Sequence, residues 1–326
     1  MLASLRTADD EALGIDARLI RRLLAGFDEP ASATVVRAPS QGTFHRLYEV
    51  RDHATRLLRV AATPGQYAAM LMALECELMT ALRERGLPVP QCEYRRDGEG
   101  EACRGAHRIA HVEGTSLTDF DDDEPRMAQA LQEVARFLAK LHRIPGAGFG
   151  PIAYGRWPAL AGVHAAWDEY LRVRFAEHVR ACEACGAISA DEARRIARLF
   201  EEAGALFREQ RPSLLHGDPG SHNFIVREGR IHAVVDWEDA LIGDALFDLA
   251  SLCTFHPERR HAAIRSAYGA AIEPGSDAWR RFWLYFLRIA LAKTVHRHRF
   301  GYADRPGRAP ASQRIQLALA RLAEAQ

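Results

Sequence analysis

A change of pattern near residue 110 limits the possible folds more than any other feature of this sequence. Before it, short segments rich in β-branched and aromatic residues are separated by turn residues, as in antiparallel strands. These segments are "TVVRAPSQGTFHRLYEVR", "ATRLLRVA", "LPVPQCEYRRDG" and "CRGAHRIAHVEG", with the helical segment "QYAAMLMALECELMTALRERG" between the second and the third. After residue 110, long segments with helical spacing of apolar residues dominate. The sequence therefore predicts an α+β fold with two lobes.

The lobes have predicted boundaries. We expect an N-terminal lobe at 1–110, a small antiparallel sheet with one long helix and a leading helix at 8–28. A larger helical C-terminal lobe follows at 111–326. Its helices are predicted at 124–143, 158–184 and 189–210, the last opening on a Ser-x-x-Glu capping box, and again from residue 244 onward. A cleft between two lobes is a preferred place for a ligand.

Composition excludes several classes of function. Basic and acidic residues balance at 43 each, and the aromatic residues are not interleaved with basic ones, so we expect neither nucleic acid nor a membrane surface as partner. The first residues include acids before any apolar segment, and no segment approaches 18 uncharged apolar residues, so we expect a cytoplasmic protein. The six cysteines lack zinc-finger spacing, and reduced structural thiols are expected, with a metal or redox pair at Cys182 and Cys185 as the alternative.

The segment "SLLHGDPGSHNFIV" places polar residues in a tight loop between apolar ones. A simple turn would use the same residue types. However, Asp218 and Asn223 are five residues apart, and Asp236 follows after a predicted hairpin that turns at 228–229. A short hairpin returns the chain beside its start, so we expect Asp236 near Asn223. Carboxylate and amide oxygens of this kind suit Mg²⁺.

Here the sequence resembles a known family. The segments "HGDPGSHN" and "DWEDALIGDALFDLA" are similar to those of the aminoglycoside phosphotransferase and choline kinase family, and the resemblance extends over nearly the whole chain. It implies a bilobal protein-kinase-like fold, in which 1–110 is the nucleotide-binding lobe and 111–326 carries the catalytic loop and the acceptor site. It also implies that Asp218 is the catalytic aspartate that accepts the proton of the attacking hydroxyl, and that Asn223 and Asp236 hold the metal.

Three further residues of the C-terminal lobe have expected structural roles. The resemblance implies that His216 anchors the loop and that Asp248 ties the helical lobe to the loop backbone. Asp244 is expected to cap the helix that follows it.

The same resemblance places the nucleotide in the N-terminal lobe. The glycine-rich kinase pattern falls on 40–47, where only Gly42 is kept, so Gly42 and Thr43 are the expected phosphate contacts and a plain hairpin turn is the alternative. Arg59 occupies the position where kinases usually have a lysine. Its expected partner is Glu75 on the following helix, with Glu77 as the alternative. The backbone around Ala110 to Val112 is the expected contact of the nucleotide base, and ATP and GTP cannot be distinguished.

The reaction expected is Mg²⁺-assisted transfer of a nucleotide γ-phosphate to a hydroxyl of a small molecule. Only a few residues separate Asp236 from the next helix, too few for the activation segment of a protein kinase. Glu238 and Asp239, beside the metal aspartate, favour a cationic acceptor such as an aminoglycoside or related antibiotic. A metabolite kinase of the choline, sugar or amino-alcohol type and a catalytically inactive nucleotide-binding relative are the alternatives.

Other residues have two interpretations at this stage. The acidic run at 119–124 either attracts the acceptor or serves the N-terminus of the next helix. Four tryptophans either line the acceptor site or pack in the helical core: Trp157, Trp167, Trp279 and Trp283.

Overall fold

A computed structural model describes residues 8–39, 41–154, 158–208, 210–302 and 310–324. Within these residues the chain forms two compact units. The first unit extends to Thr115 and also takes in His232–Glu238, and the second consists of Ser116–Ile231 and the chain from Asp239 onward. Trp157 and Ser40 lie outside the described residues.

The first unit contains a series of helices and strands that matches most of the expected pattern. In chain order they are α1 (Ala8–Ala12), α2 (Ala17–Gly26), β1 (Thr34–Arg37), β2 (His45–Arg51), β3 (Thr55–Ala61), α3 (Gln66–Glu84), β4 (Cys92–Asp97) and β5 (Arg104–Ala110). The single leading helix predicted at 8–28 is wrong. Gly14 has a φ of +71°, which ends α1, and the Asp16 side chain accepts a hydrogen bond from Leu19 N and so begins α2.

A five-stranded antiparallel sheet forms the centre of the first unit, in the order β1-β2-β3-β5-β4. On one face Tyr48, Leu58 and Val60 are fully buried against the apolar side of α2. Because side chains alternate along a strand, this packing turns Arg59 to the opposite face, toward α3. The core of this unit therefore fixes the direction of the basic side chain on β3.

The second unit begins at the short strand β6 (Thr115–Ser116), which lies on the boundary. It continues with α4 (Glu124–Leu141), β7 (Phe149–Ile152), β8 (Gly162–His164), α5 (Trp167–Arg172), α6 (Phe175–Ala184), α7 (Ala190–Glu202), α8 (Gly204–Arg208), β9 (Ser213–Leu215), β10 (Phe224–Arg227), β11 (Arg230–Val234), β12 (Leu241–Gly243), α9 (Ala245–Thr254), α10 (His261–Tyr268), α11 (Asp277–Phe300) and α12 (Ala311–Ala323). The end of β11 belongs to the first unit.

Two helices predicted as continuous in the second unit are interrupted. The segment at 158–184 holds a strand and two helices, because Gly162 lets β8 approach β7 so closely that a Cβ there would lie 2.2 Å from Phe149. The segment at 189–210 divides at Ala203 into α7 and α8. The predicted capping box at Ser189 and Glu192 is present.

The catalytic loop predicted at 216–223 is placed by a small sheet. β8, β7, β12 and β9 form a four-stranded sheet in that order, and β12 runs antiparallel to β9 with Leu241 opposite Leu215. The loop leaves the end of β9. The hairpin predicted after it is present: β10 and β11 are joined by Glu228 and Gly229, which have φ values of +53° and +74°, as in a type I′ turn.

The C-terminal half of the second unit is an apolar helical core. The largest helix, α11, buries aromatic side chains along its length, among them Trp283, Tyr285 and Phe286. None of the helices in the described part of the chain has the length and apolar character needed to span a bilayer.

Candidate active site

The predicted ion pair between Arg59 and Glu75 is present in the first unit. Nη1 of Arg59 lies 2.7 Å from both carboxylate oxygens of Glu75, and both residues are buried. Glu77, the alternative partner, lies on the exposed side of α3. Glu75 of α3 is thus the buried acid that pairs with Arg59, the buried arginine of β3.

Arg59 also holds the segment that includes the predicted metal ligand. Its Nη2 donates to Asp236 Oδ1 and to Glu238 Oε2, both at 2.8 Å, and the N–H of Trp237 donates to Glu75 Oε1. Asp236 has a φ of +64°, a left-handed conformation that is uncommon for residues other than glycine and often marks a functional position. Burial opposes the charge of Arg59, but these carboxylates outweigh it and raise the pKa of Arg59 above its ordinary value.

His45 is a member of this cluster that the sequence analysis did not identify. Its Nδ1 lies 3.0 Å from Arg59 Nη2 and 3.1 Å from Glu238 Oε2. Burial, reinforced by the charge of Arg59, lowers the pKa of His45 to about 3, so its ring is neutral at pH 7. The pairing of β2 with β3 brings it here, a contact that the period-two pattern alone does not specify.

The loop between β1 and β2 is organised by a glutamine. The Gln41 amide donates to the carbonyls of Ala38 and Leu47 and accepts from the N–H of Leu47. At Gly42 an added Cβ would meet its nearest neighbour, the carbonyl of His45, at 3.6 Å, which is ordinary contact. Packing within this unit therefore does not require a glycine at position 42, and the predicted phosphate contacts of Gly42 and Thr43 stay predictions.

Ala110 and Val112 lie at the end of β5 and just after it. The N–H of Ala110 donates to the carbonyl of Gln91 at 2.9 Å, so this donor is already used within the unit. The predicted contacts of Ala110 and Val112 with the nucleotide base stay predictions.

In the second unit, Asp248 fixes the backbone of the loop as expected. Its carboxylate is fully buried and accepts from the N–H of His216 at 2.7 Å and from that of Gly217 at 2.9 Å. His142 lies against the same carboxylate at 3.2 Å. Asp244 caps α9 as predicted, accepting from Leu246 N. Asp248 thus holds the loop that follows β9, and Asp244 holds the start of α9.

Asp218 lies at the centre of this fixed loop. The Asn223 side chain donates from Nδ2 to the carbonyl of Asp218 at 2.9 Å, which closes the loop and leaves the amide oxygen of Asn223 to accept. The Asp218 carboxylate is 28% exposed, with Lys293 Nζ 3.4 Å from Oδ1 and His222 Nε2 3.5 Å from Oδ2. Burial opposes ionisation, but Lys293 and His222 outweigh it and hold the pKa of Asp218 well below its ordinary value.

Lys293, on α11, is the second residue near the predicted site residues that the sequence analysis did not identify. Its ammonium lies 3.2 Å from the centre of the Phe255 ring. Burial lowers the pKa of Lys293 to about 8, against the opposing effect of Asp218. The composition could have pointed to Lys293, because the chain has only 2 lysines against 41 arginines and each lysine is therefore unusual.

The other residues predicted for the acceptor site lie either at the surface or in contacts that support the fold. Asp239 is exposed, and its backbone carbonyl packs against Gly217. In the acidic run, Asp123 caps α4, as expected of an acid that serves the N-terminus of the next helix. Glu124 is paired with arginines that precede α10. Of the four tryptophans with two interpretations, three lie within the described residues and pack in the core: Trp167, Trp279 and Trp283.

A metal site built from many protein ligands is absent from the described ranges, where no three His, Cys, Asp or Glu side chains are grouped to hold a metal. Mg²⁺ does not need such a group, since it is bound by few protein oxygens together with phosphate and water. The donor set of Asn223 and Asp236 fits this requirement in chemistry. Their convergence on one ion stays a prediction.

Comparison with known proteins gives a consistent result. The model of a family described as "Phosphotransferase enzyme family" matches residues 35–322. Hygromycin-B 4-O-kinase of Escherichia coli is 27% identical over 186 residues, which cover 55% of this chain and 52% of that protein. Acyl-CoA dehydrogenase family member 11 of Gallus gallus is 26% identical over 246 residues, covering 73% of this chain and 30% of that protein. The matched part of the chain thus spans about half of the length of the first relative and about a third of the second.

Solved structures share the fold. A thermostable mutant of aminoglycoside phosphotransferase APH(4)-Ia, in a ternary complex with AMP-PNP and hygromycin B, has a TM-score of 0.63 at 18% identity and covers 94% of this chain and 97% of its own. The GDP complex of an aminoglycoside 2'-phosphotransferase-IIIa mutant has a TM-score of 0.62 at 16% identity, covering 94% and 96%. These similarities confirm the predicted α+β, protein-kinase-like fold class.

Proposed function

Because the chain belongs to the phosphotransferase enzyme family, we propose that it transfers the γ-phosphate of a nucleotide to a hydroxyl group of a small molecule in the presence of Mg²⁺. The preferred acceptor in this proposal is an aminoglycoside-like or other antibiotic. The nucleotide is ATP or GTP.

The observation that supports this proposal best is the construction of the loop at Asp218. Two consecutive backbone N–H groups, of His216 and Gly217, are bound to the fully buried carboxylate of Asp248, and Asn223 closes the other side of the loop. A simple turn needs no such support. Holding one ionised carboxylate in a fixed direction is what phosphoryl transfer requires, because its catalysis consists of positioning and electrostatic stabilisation.

The proposed roles follow from this arrangement. The acceptor hydroxyl donates a hydrogen bond to the carboxylate of Asp218, and this bond orients the hydroxyl oxygen toward the γ-phosphorus. A bond from that oxygen to phosphorus forms, the bond to the β-phosphate oxygen breaks, and the hydroxyl proton passes to Asp218. Since the pKa of Asp218 is far below its ordinary value, Asp218 is a weak base, and orientation is its main contribution.

The nucleotide is assigned to the first unit. In the proposal Gly42 and Thr43 contact the phosphates through the backbone, and residues 110–112 contact the base. Arg59, aligned by Glu75, contributes positive charge to the phosphates. Asn223 and Asp236 would hold Mg²⁺, which when bound neutralises developing charge on the phosphate oxygens.

The identity of the acceptor rests on the relatives. One relative bears the name of a hygromycin kinase, and an APH(4)-Ia structure contains hygromycin B. A kinase of a sugar-type or other uncharged metabolite is the second candidate. It is favoured by Lys293 beside Asp218, since a cation at this place repels a polycationic acceptor, and by the engagement of Glu238 with Arg59.

An acceptor screen tests the proposed function. Transfer from ATP and from GTP is measured with Mg²⁺ and again with EDTA, against hygromycin B, other aminoglycosides, choline and simple sugars. The proposal predicts a phosphorylated product that forms only with Mg²⁺, and hygromycin B or another antibiotic among the best acceptors. Exclusive phosphorylation of sugars would favour the second candidate. Nucleotide binding without turnover on any acceptor would favour an inactive relative and contradict the proposal.

A further inference from the structure

Lys293 is held in place by two different groups of the second unit. Its ammonium lies 3.2 Å from the centre of the Phe255 ring and 3.4 Å from Asp218 Oδ1, and its side chain is 21% exposed. We propose that Lys293 is a positioning residue of the phosphotransfer site, which fixes the Asp218 carboxylate through Oδ1 and leaves Oδ2 to the acceptor hydroxyl. The inference rests on the proposed function.

The aromatic ring gives the ammonium a defined place. A cation over the face of an aromatic ring is attracted by the ring's electrons, and partial removal of water strengthens that attraction. Phe255 follows the last turn of α9, and Lys293 projects from α11, which packs on α9. The ammonium therefore approaches Asp218 from a rigid direction, although a lysine side chain is flexible by itself.

The two oxygens of Asp218 have unequal neighbours. Lys293 Nζ lies 3.4 Å from Oδ1 and His222 Nε2 lies 3.5 Å from Oδ2, so the two contacts are similar in length and differ in exposure: the His222 side chain is 46% exposed and that of Lys293 21%. An incoming hydroxyl therefore displaces the more exposed imidazole at Oδ2 more easily than the ammonium at Oδ1. An ammonium has three hydrogen-bond donors, and among the described residues Asp218 is the partner of Lys293. Further donors of Lys293 therefore remain for the transferred phosphate.

The choice of lysine is itself informative in this chain. Arginine outnumbers lysine by 41 to 2, and the other lysine, Lys140, is exposed in the last turn of α4. A planar guanidinium needs more room than an ammonium and is always charged. Lysine is a compact point charge, which suits the narrow space between an aromatic ring and a carboxylate.

The charged groups around Lys293 come from several elements. Asp218 and Asp239 favour its charged form, while Arg314 of α12 opposes it. His296 lies one turn further along α11, where burial, reinforced by the charge of Lys293, lowers the pKa of its ring. Burial dominates, and Lys293 consequently loses its proton at a lower pH than an exposed lysine, near pH 8.

Four proteins test the inference: the wild type, Lys293→Met, Lys293→Arg, and Lys140→Met as the matched control. The assay uses Mg·ATP with the best acceptor of the screen, and nucleotide affinity is measured by titration on the same samples. We expect Lys293→Met to lower kcat by about 100-fold, as for the loss of one preorganised charge. Nucleotide Kd should change less than about threefold. Lys140→Met should behave as the wild type.

The pH profile separates positioning from a merely structural role. In the wild type kcat should fall as pH rises past about 8, since Lys293 then loses its charge. Lys293→Arg should recover part of kcat and keep that activity to higher pH, because arginine stays protonated. Circular dichroism establishes that each variant is folded, and if Lys293→Met does not fold, the profile of Lys293→Arg decides.

The outcomes are distinguishable. Wild-type kcat in Lys293→Met, or a pH profile of Lys293→Arg identical to that of the wild type, would overturn the inference and leave the proposed function intact. A wild type that transfers phosphate to no acceptor would overturn the proposed function and the inference with it.

Discussion

At the scale of single residues, Arg59 organises the nucleotide side of the proposed site. One guanidinium binds Glu75 through Nη1 and both Asp236 and Glu238 through Nη2. A lysine offers one point charge and could not span three carboxylates in this way. Arginine at this position thus has a structural consequence, because it joins the strand, the long helix and the segment at 236–238.

Glu75 is the acid on which this arrangement depends. Because Arg59 keeps the more exposed carboxylates of Asp236 and Glu238, Glu75→Gln should lower the stability of folding by about 2 kcal/mol, through the loss of one buried, charged hydrogen-bond pair. It should also weaken nucleotide binding, because Arg59 loses its alignment. Glu77→Gln, on the exposed side of the same helix, is the control and should change neither property. Urea unfolding and nucleotide titration measure both, and equal effects of the two substitutions would contradict this assignment.

The same carboxylate gives stability a definite pH dependence. Burial opposes ionisation of Glu75, but Arg59 outweighs it and holds the pKa of Glu75 below its ordinary value of 4.5. The unfolded chain then binds this proton more readily than the folded one. The contribution of Glu75 is therefore complete above about pH 4.5 and is lost as pH falls through the folded-state pKa.

At the scale of elements, the loop at Asp218 depends on close backbone packing. Gly217 has a φ of +86°, and a Cβ there would lie 2.0 Å from the carbonyl oxygen of Asp239. This contact ties the loop after β9 to the residues before β12. The sequence shows a glycine before Asp218, but it does not show which backbone group lies against it.

Gly217→Ala should therefore displace the loop. Gly275→Ala is the matched control, since Gly275 has a similar φ of +82° and nothing within 4 Å of an added Cβ. The control should lose only the strain of a left-handed alanine, about 1 kcal/mol. Gly217→Ala should lose more stability and most of its kcat, measured by urea unfolding and by the transfer assay. Similar losses in the two variants would refute the packing argument.

The helices and strands show which signals the sequence contains. The sheet strands, the long helix α3 and the capping box at Ser189 were predicted because they depend on local periodicity and caps. The divided helices at 8–28 and 158–184 were not predicted. Their interruptions depend on single residues, Gly14 with a left-handed φ and Gly162 at a close strand contact, which a continuous apolar pattern conceals.

At the scale of the whole molecule, contacts distant in sequence are the part that could not be predicted without a known family. Arg59 and Asp236 are 177 residues apart, and Lys293 and Asp218 are 75 apart. Local patterns do not show such pairs, because they arise when whole elements pack. The motif at 216–223 and its resemblance to a family supplied the fold and the main residues. The contacts of His45 and Lys293 required the structure.

The most direct test of the central claim compares Asp218→Ala with Asp236→Ala. Phosphate transfer and Mg·ATP affinity are measured on the same preparations as the wild type. The account predicts that Asp218→Ala loses about 1,000-fold or more in kcat. It should bind nucleotide within about threefold of the wild-type Kd. Asp236→Ala should lose Mg²⁺-dependent nucleotide binding. Retained turnover in Asp218→Ala, or an equal loss of nucleotide affinity in both variants, would contradict the account.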